Sequence, residues 1–378
     1  MIYKKAILPK GFKASALACG LKKSGKLDLA LFYSAASAKA ACLFTANIIQ
    51  AAPLKVTKKY LKNNKAFRAV IANSGNANCF TGKAGLKDAQ GMSALTAKEL
   101  GIKKEAVLVA STGIIGRRLK LDKIKKAMPA LVKSLSPNGI AKAKRAIMTT
   151  DTFAKEITVK FNSAGKTITI CGIAKGAGMI APNLATLLCF IFTDADITQG
   201  ALKQALKIAA DDSFNCITVD GCMSTNDMAM LLANGAAGNS LIDTDRNFGA
   251  FSKALNTVCL ELAKMVVKDA EGATKFIQIR VENAKTGKEA KQVALSIANS
   301  SLFKTAMFAS SKNILGRTVA AAGASGVDIK EEDLKISSSP LKKKEVNINV
   351  SLKRGKSSAT VYTSDLSYEY VKINAEYN

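Results

Sequence analysis

Two turns that carry hydroxyls and one lysine are the residues of this sequence best suited to covalent chemistry. Lys175-Gly-Ala-Gly178 opens a flexible loop that runs through Pro182 and Asn183 to Thr186, after which Leu187 to Phe192 are almost wholly apolar. A hydroxyl at the mouth of a buried strand, beside a turn with exposed backbone N–H groups, is a candidate nucleophile position. Ser111-Thr-Gly-Ile-Ile-Gly116 follows the strand-like Ala106-Val-Leu-Val-Ala110. A small-residue turn after a strand can aim N–H groups at one point, as an oxyanion hole requires. The ordinary alternative is a plain strand exit. The chain has no histidine, which excludes Ser-His-Asp and Cys-His catalysis and paired-histidine zinc sites. A nucleophilic enzyme built on this chain must take its base from a carboxylate, a lysine or an N-terminal amine. The last pairs naturally with threonine.

Composition narrows the setting. With 378 residues, 48% of them hydrophobic, the chain has material for a large core and two or three domains. The start, Met1-Ile-Tyr-Lys-Lys-Ala-Ile-Leu-Pro9, has no secretory pattern, and no run approaches the roughly 18 apolar residues of a spanning helix. A soluble, cytoplasmic protein without membrane partners is therefore expected. Eight cysteines are scattered with no Cys-x-x-Cys pair, so reduced, buried thiols are expected, with no zinc or redox site. The net charge of +28 invites a nucleic-acid reading. However, the lysines are dispersed, aromatics are 6% and there is no Trp, so solvated lysine-rich faces are the better reading, with no nucleic-acid partner.

The elements that must position these residues alternate between strand and helix, an α/β pattern. Strands are expected at residues 28–33, 41–45, 67–72 and 106–110, with helices near 58–63, 83–100, 122–135 and 139–145. Pro129 is expected to kink or break the third helix. A hairpin over 157–161 and 167–171 delivers the chain to Lys175. Helices follow at 199–211 and 248–268, with a strand at 217–221 between them. A smaller C-terminal domain holds a strand at 276–281, a helix over 288–300 and strands at 346–352, 359–363 and 367–374. No internal repeat is visible.

Several pieces together resemble one family, the glutamate N-acetyltransferases (ornithine acetyltransferases) of arginine biosynthesis. The resemblance is carried, nearly end to end, by Asn73-Ser-Gly-Asn-Ala-Asn78, Ser111-Thr-Gly-Ile-Ile-Gly116, Thr149-Thr-Asp-Thr152, Lys175-Gly-Ala-Gly-Met-Ile-Ala-Pro-Asn183, Ala185-Thr-Leu-Leu188, Val219-Asp-Gly221 with Ser224-Thr-Asn-Asp227, Asp269-Ala-Glu-Gly-Ala-Thr-Lys275 and Ile373-Asn-Ala-Glu-Tyr377. It implies a layered α/β/β/α sandwich over residues 1–275, a smaller α/β domain over 276–378, and a precursor that cuts itself between Ala185 and Thr186. Thr186 then leads the second fragment, and its free α-amine serves as base. The resemblance implies acetyl transfer from N2-acetylornithine to glutamate through an acyl-Thr186, with Thr112 and Gly113 holding the oxyanion. It assigns substrate contacts to Thr149 or Thr150, Lys175, Thr186, Glu271 and Asn374, and an α/β-fragment heterotetramer to the assembly. It implies no metal and no cofactor, acetyl-CoA entering only as a substrate of bifunctional members.

Two other readings stand beside it. One is a self-cleaving aminopeptidase or amidohydrolase with the same nucleophile, the other a basic nucleic-acid-binding protein. The sequence departs from the family in three places. It stops at Asn378 without a terminal Ser or Thr, Cys222-Met223 replaces a more polar pair, and Asn313-Ile-Leu-Gly-Arg317 lacks a tryptophan.

Overall fold

A computed structural model describes residues 1–163, 165–181 and 187–376. The chain divides into two compact units. The first comprises Met1–Gly176, Asn183–Ser213 and Met223–Leu262, the second Ala177–Pro182, Phe214–Cys222 and Ala263–Asn378.

The first unit contains strands β1 (Ile2–Tyr3), β2 (Phe12–Leu17), β3 (Leu29–Phe44), β4 (Phe67–Asn73), β5 (Val107–Ser111), β6 (Lys155–Ser163), β7 (Lys166–Lys175), β8 (Leu188–Thr193) and β9 (Met228–Ala233). Its helices are α1 (Ala52–Asn63), α2 (Gly82–Leu100), α3 (Leu121–Lys133), α4 (Ile140–Ala146), α5 (Gln199–Asp211) and the first part of α6 (Phe248–Lys268). The strands run in the order β1-β6-β7-β8-β9-β3-β4-β5, with β2 also on β3. Strand β3 belongs to three ladders. Leu29–Tyr33 pair with β2 and β4, while Lys39–Phe44 pair with β9, and the register shifts between Tyr33 and Ala38. The small residues Ser34-Ala-Ala-Ser37 at that shift let the strand bend, so its two halves lie in facing sheets.

Aromatic rings fill the space between those sheets. Phe32 on β3 lies 5.2 Å from Phe190 and 5.1 Å from Phe192, both on β8, and Phe12 on β2 lies 5.2 Å from Phe192. Each such buried side chain contributes roughly 1.5–3 kcal/mol relative to exposure. Helices cover the outer faces. The Thr57 hydroxyl on α1 donates to Val109 O (2.8 Å) and accepts from Val109 N (3.0 Å), latching that helix to β5. On the other side, Gly172 of β7 has no room for a Cβ, which would sit 2.6 Å from Val258 and 2.8 Å from Leu262 of α6. The layers are therefore α/β/β/α, as the resemblance implies.

The second unit has a four-stranded sheet ordered β11 (Lys335–Ser338), β12 (Glu345–Ser351), β10 (Phe276–Ala284), β13 (Ser357–Ser364). Strand β12 alternates strictly, burying Val346, Ile348 and Val350, as a one-sided sheet requires. Helices α7 (Gly287–Asn299), α8 (Ser301–Phe308), α9 (Ile314–Gly323) and α10 (Tyr368–Ala375) complete it.

Four expectations are corrected. The strands expected at 28–33 and 41–45 are the two ends of one strand, because the small residues between them continue the ladder through a bend. Pro129 does not break α3. It lies on the exposed face, where the carbonyl that loses its donor can turn to water. No strand forms over 217–221, only an isolated bridge between Ile217 and Tyr362. Residues 368–375 are a helix, not a strand. Ser367 caps it by accepting from Tyr370 N, with Glu369 in the first turn and Lys372 in the last, and these end effects override the β-favouring tyrosines and valine.

Of the eight cysteines, five are buried and Cys222 is exposed. Burial pushes the Cys171 thiol up to about 12, so it stays an inert thiol near neutrality. Among the described residues, no helix is long and apolar enough to cross a membrane.

Candidate active site

Thr112 and Gly113 sit where β5 ends. Asn73, at the end of the neighbouring parallel strand β4, builds the turn from beneath. Its carbonyl accepts Thr112 N–H (3.0 Å), its Oδ1 accepts the Ser111 hydroxyl (2.6 Å), and its Nδ2 donates to Asn76 O (2.9 Å). From above, the buried Asn226 Nδ2 donates to Ala77 O (2.6 Å) and Ser111 O (2.8 Å), tying both turns to one amide. Thr112 N–H is thus committed to the scaffold. The other donors of these two residues are the Thr112 hydroxyl and Gly113 N–H. Gly113 is held at φ +132°, and a Cβ there would meet Gly75 C at 2.4 Å and Asn76 N at 2.5 Å. Only glycine lets the two turns approach so closely.

A second cluster surrounds Asp151. Its Oδ1 accepts from Lys155 Nζ (2.5 Å) and Gly176 N–H (2.7 Å), and its Oδ2 accepts Thr149 N–H (2.8 Å). Both side chains of the Asp151–Lys155 pair are fully buried. Burial would raise the carboxyl's pKa, but the charges of Lys175 and Lys155 and the Gly176 N–H outweigh it and hold it at about 2. Lys175 is itself 5% exposed at the end of β7. Thr149 and Lys175 are therefore drawn to one buried carboxylate, and Thr150 is half-buried next to it in sequence. Lys22 joins from the N-terminal loop, its Nζ donating to Leu27 O and Met148 O (both 2.8 Å). Burial, opposed by Asp28 and Asp151 and reinforced by Lys175, brings it down to about 8. A cleft of about 890 Å³ is lined here by Lys22, Lys26, Lys144, Thr149, Asp151 and Phe153, among others.

Removing one partner of a buried ion pair strands the other, at about 3–5 kcal/mol. Lys155→Met is expected to lower unfolding free energy by that amount in a denaturant titration, whereas a loss below about 1 kcal/mol would show the pair to be dispensable. Asp151 has a depressed folded-state pKa, so its stabilisation is complete above the ordinary carboxylate value of about 3.9 and is lost as pH falls toward 2.

Glu271 and Asn374 meet within the second unit. Asn374 Nδ2 on α10 donates to Glu271 Oε2 (2.9 Å) and to Tyr370 O (3.0 Å). Glu271 N–H donates to Ala177 O (3.0 Å). Its carboxylate fills the space that a side chain at Gly178 would need, an added Cβ lying 2.2 Å from Oε2. Ala185 and Thr186 lie outside the described residues.

Asn73, Asp151 and Asn226 all fall within stretches that stand out in the sequence, yet nothing in their spacing gives their roles. Lys155 carries no signal. Its pairing with Asp151 four residues earlier occurs outside any helix, where i,i+4 spacing has no fixed geometry.

Comparison with known proteins now separates the readings. A model of the ArgJ family matches residues 13–378. The arginine biosynthesis bifunctional protein ArgJ of Geobacter sulfurreducens is 44% identical, over 97% of this chain and 99% of its own. The glutamate N-acetyltransferase of Methanocaldococcus jannaschii is also 44% identical, over 98% of this chain and 97% of its own. Among solved structures, the ornithine acetyltransferase of Mycobacterium tuberculosis, complexed with ornithine, is 36% identical. It covers 50% of this chain and 98% of its own, with a TM-score of 0.45. The family match and the two full-length relatives place this chain in a class, the acyltransferases of arginine biosynthesis. Within that class, the chain belongs to the ArgJ family.

Proposed function

We propose that this protein is a self-processing glutamate N-acetyltransferase that moves an acetyl group from N2-acetylornithine to glutamate through an ester on Thr186. Identity of 44% along the whole length to a named glutamate N-acetyltransferase is the observation that carries this reading. In the precursor, Thr186 Oγ attacks the Ala185 carbonyl, the amide becomes an ester, and water releases fragments 1–185 and 186–378. The freed α-amine, with an ordinary pKa of about 7.7–8.0, keeps a useful neutral fraction near physiological pH and takes the hydroxyl proton. This suits a chain without histidine.

In turnover, Thr186 Oγ attacks the acetyl carbonyl. The oxyanion is received by the Thr112 hydroxyl and Gly113 N–H, consistent with the Thr112 N–H being already bound to Asn73. The carbon–nitrogen bond breaks, and ornithine leaves with the proton held by the α-amine. Glutamate then attacks the ester through its own amine, and the cycle closes as a ping-pong exchange. Lys175, with Thr149 or Thr150, is assigned to the substrate carboxylate; Lys175's burial beside Asp151 supports a fixed cation rather than a solvent lysine. Glu271 and Asn374 are assigned to the substrate ammonium. A heterotetramer of the two fragments and a cytoplasmic location belong to the same proposal.

Intact mass spectrometry of the purified protein tests it. Fragments 1–185 and 186–378 are expected, and N2-acetylornithine should add one acetyl mass to the second. Glutamate should then remove that acetyl as N-acetylglutamate. Release of acetate alone would favour the amidohydrolase, and repeating the assay with acetyl-CoA as donor decides whether the enzyme is bifunctional.

A further inference from the structure

One carboxylate in the second unit gathers groups from three separate segments. Asp220 Oδ2 accepts Met179 N–H (2.7 Å), and Oδ1 accepts Ile180 N–H (2.9 Å) and Cys222 N–H (3.1 Å). The Tyr370 hydroxyl of α10 donates to Oδ2 (3.1 Å). Asp220 thus fixes the loop that contains Gly178 and, through Tyr370, the helix that carries Asn374. Gly178 is the seat of the Glu271 carboxylate, and Asn374 is its hydrogen-bond partner. The start of α10 is anchored independently. Ser367 Oγ donates to Gly272 O (2.6 Å), and Gly272, at φ +66°, could not carry a Cβ without meeting Tyr370 N at 2.5 Å. Beyond that N-terminal anchor, the Tyr370–Asp220 bond gives the helix a further fixed point one turn along.

We infer that Asp220 and Tyr370 are a positioning pair that sets the Glu271–Asn374 couple for the amino group of the substrate, without touching the substrate themselves. The inference rests on the assignment of Glu271 and Asn374 to the substrate ammonium. Burial and the Asp220 charge push the Tyr370 phenol above its ordinary value, so the hydroxyl keeps its proton and remains the donor. A carboxylate with four donors on two oxygens is saturated, which suits a fixed strut and not an exchangeable ligand.

The pair acts on binding geometry, so its loss is read in KM and not in the chemical step. Tyr370→Phe, which removes only the hydroxyl, is expected to raise KM for N2-acetylornithine and glutamate about tenfold, the equivalent of one hydrogen bond to a charged group. Turnover should stay within about twofold, and mass spectrometry should show unchanged cleavage. Asp220→Asn, similar in size and still able to accept through its carbonyl, should give the same split in KM and kcat. It also keeps the test decisive if the phenylalanine variant folds poorly. Glu271→Gln is measured in parallel. If it raises KM while both pair variants keep wild-type values, the positioning role is overturned and the substrate assignment stands. If Glu271→Gln itself leaves KM unchanged, the substrate assignment fails, independently of the pair. A fall in kcat alone in the pair variants would also overturn the inference.

Discussion

Thr186→Ala is expected to yield a single uncut chain of full length with no acetyl transfer. Without the hydroxyl there is no atom to attack the Ala185 carbonyl, so the bond stays closed and the α-amine that would act as base is never released. The two losses have one origin, because the hydroxyl that opens the Ala185–Thr186 bond is also the nucleophile assigned to turnover. Turnover should fall to background, a loss of several orders of magnitude of the kind seen when a covalent nucleophile is removed. Two fragments from this variant would remove Thr186 from the cleavage step. An uncut chain that still transfers acetyl would remove it from the catalytic one. Thr186→Ser, which keeps the hydroxyl, should cleave and retain activity, so shape and chemistry are separated by one methyl group.

Gly113→Ala should be nearly as damaging. The added Cβ would fall 2.4 Å from Gly75 C and 2.5 Å from Asn76 N, which are backbone atoms fixed by the Asn73 and Asn226 hydrogen bonds and unable to turn aside. The two turns must separate, and Gly113 N–H moves with them. Loss of one oxyanion donor costs about 10²–10³ in turnover, and a residue strained at positive φ adds about 1–3 kcal/mol of instability. Gly116→Ala is the control. It also has positive φ, +81°, but nothing lies within 4 Å of its Cβ position. It should lose about 1 kcal/mol of stability and little activity. Equal activity in the two variants would show that the approach of the turns at Gly113 has no part in catalysis.

Much of this molecule is legible in its amino-acid sequence. The alternation of β12 and the apolar run of β8 fix strands by side-chain period, and the four-layer sandwich follows from the family resemblance. What is not legible depends on contacts between distant segments. The bend in β3 arises from small residues that have no period, so one strand reads as two. Helix α10 holds tyrosines and a valine that suggest a strand, and its cap on Ser367 competes with them in a way only the fold decides. In the site, Ser111-Thr-Gly113 is recognisable as a turn that could hold an oxyanion. However, the commitment of Thr112 N–H to Asn73, 39 positions earlier, follows only from the parallel pairing of β4 with β5. Asp151 is visible inside Thr149-Thr-Asp-Thr152, while the convergence of Lys155, Gly176 N–H and Lys175 on it requires β6 and β7 to be paired.

The strand order has a further consequence for a chain severed after Ala185. Strands β8 and β9, from the later fragment, lie between β7 and β3 of the earlier one, with six residues in register on each side. Neither piece can leave without opening two ladders at once and exposing the rings of Phe190 and Phe192 that face Phe32. Under the cleavage proposed above, each enzyme is therefore expected to keep the halves with which it was translated. Two populations mixed in one cell would not trade pieces, and a defect in one half could not be repaired by supplying a sound copy of that half from outside.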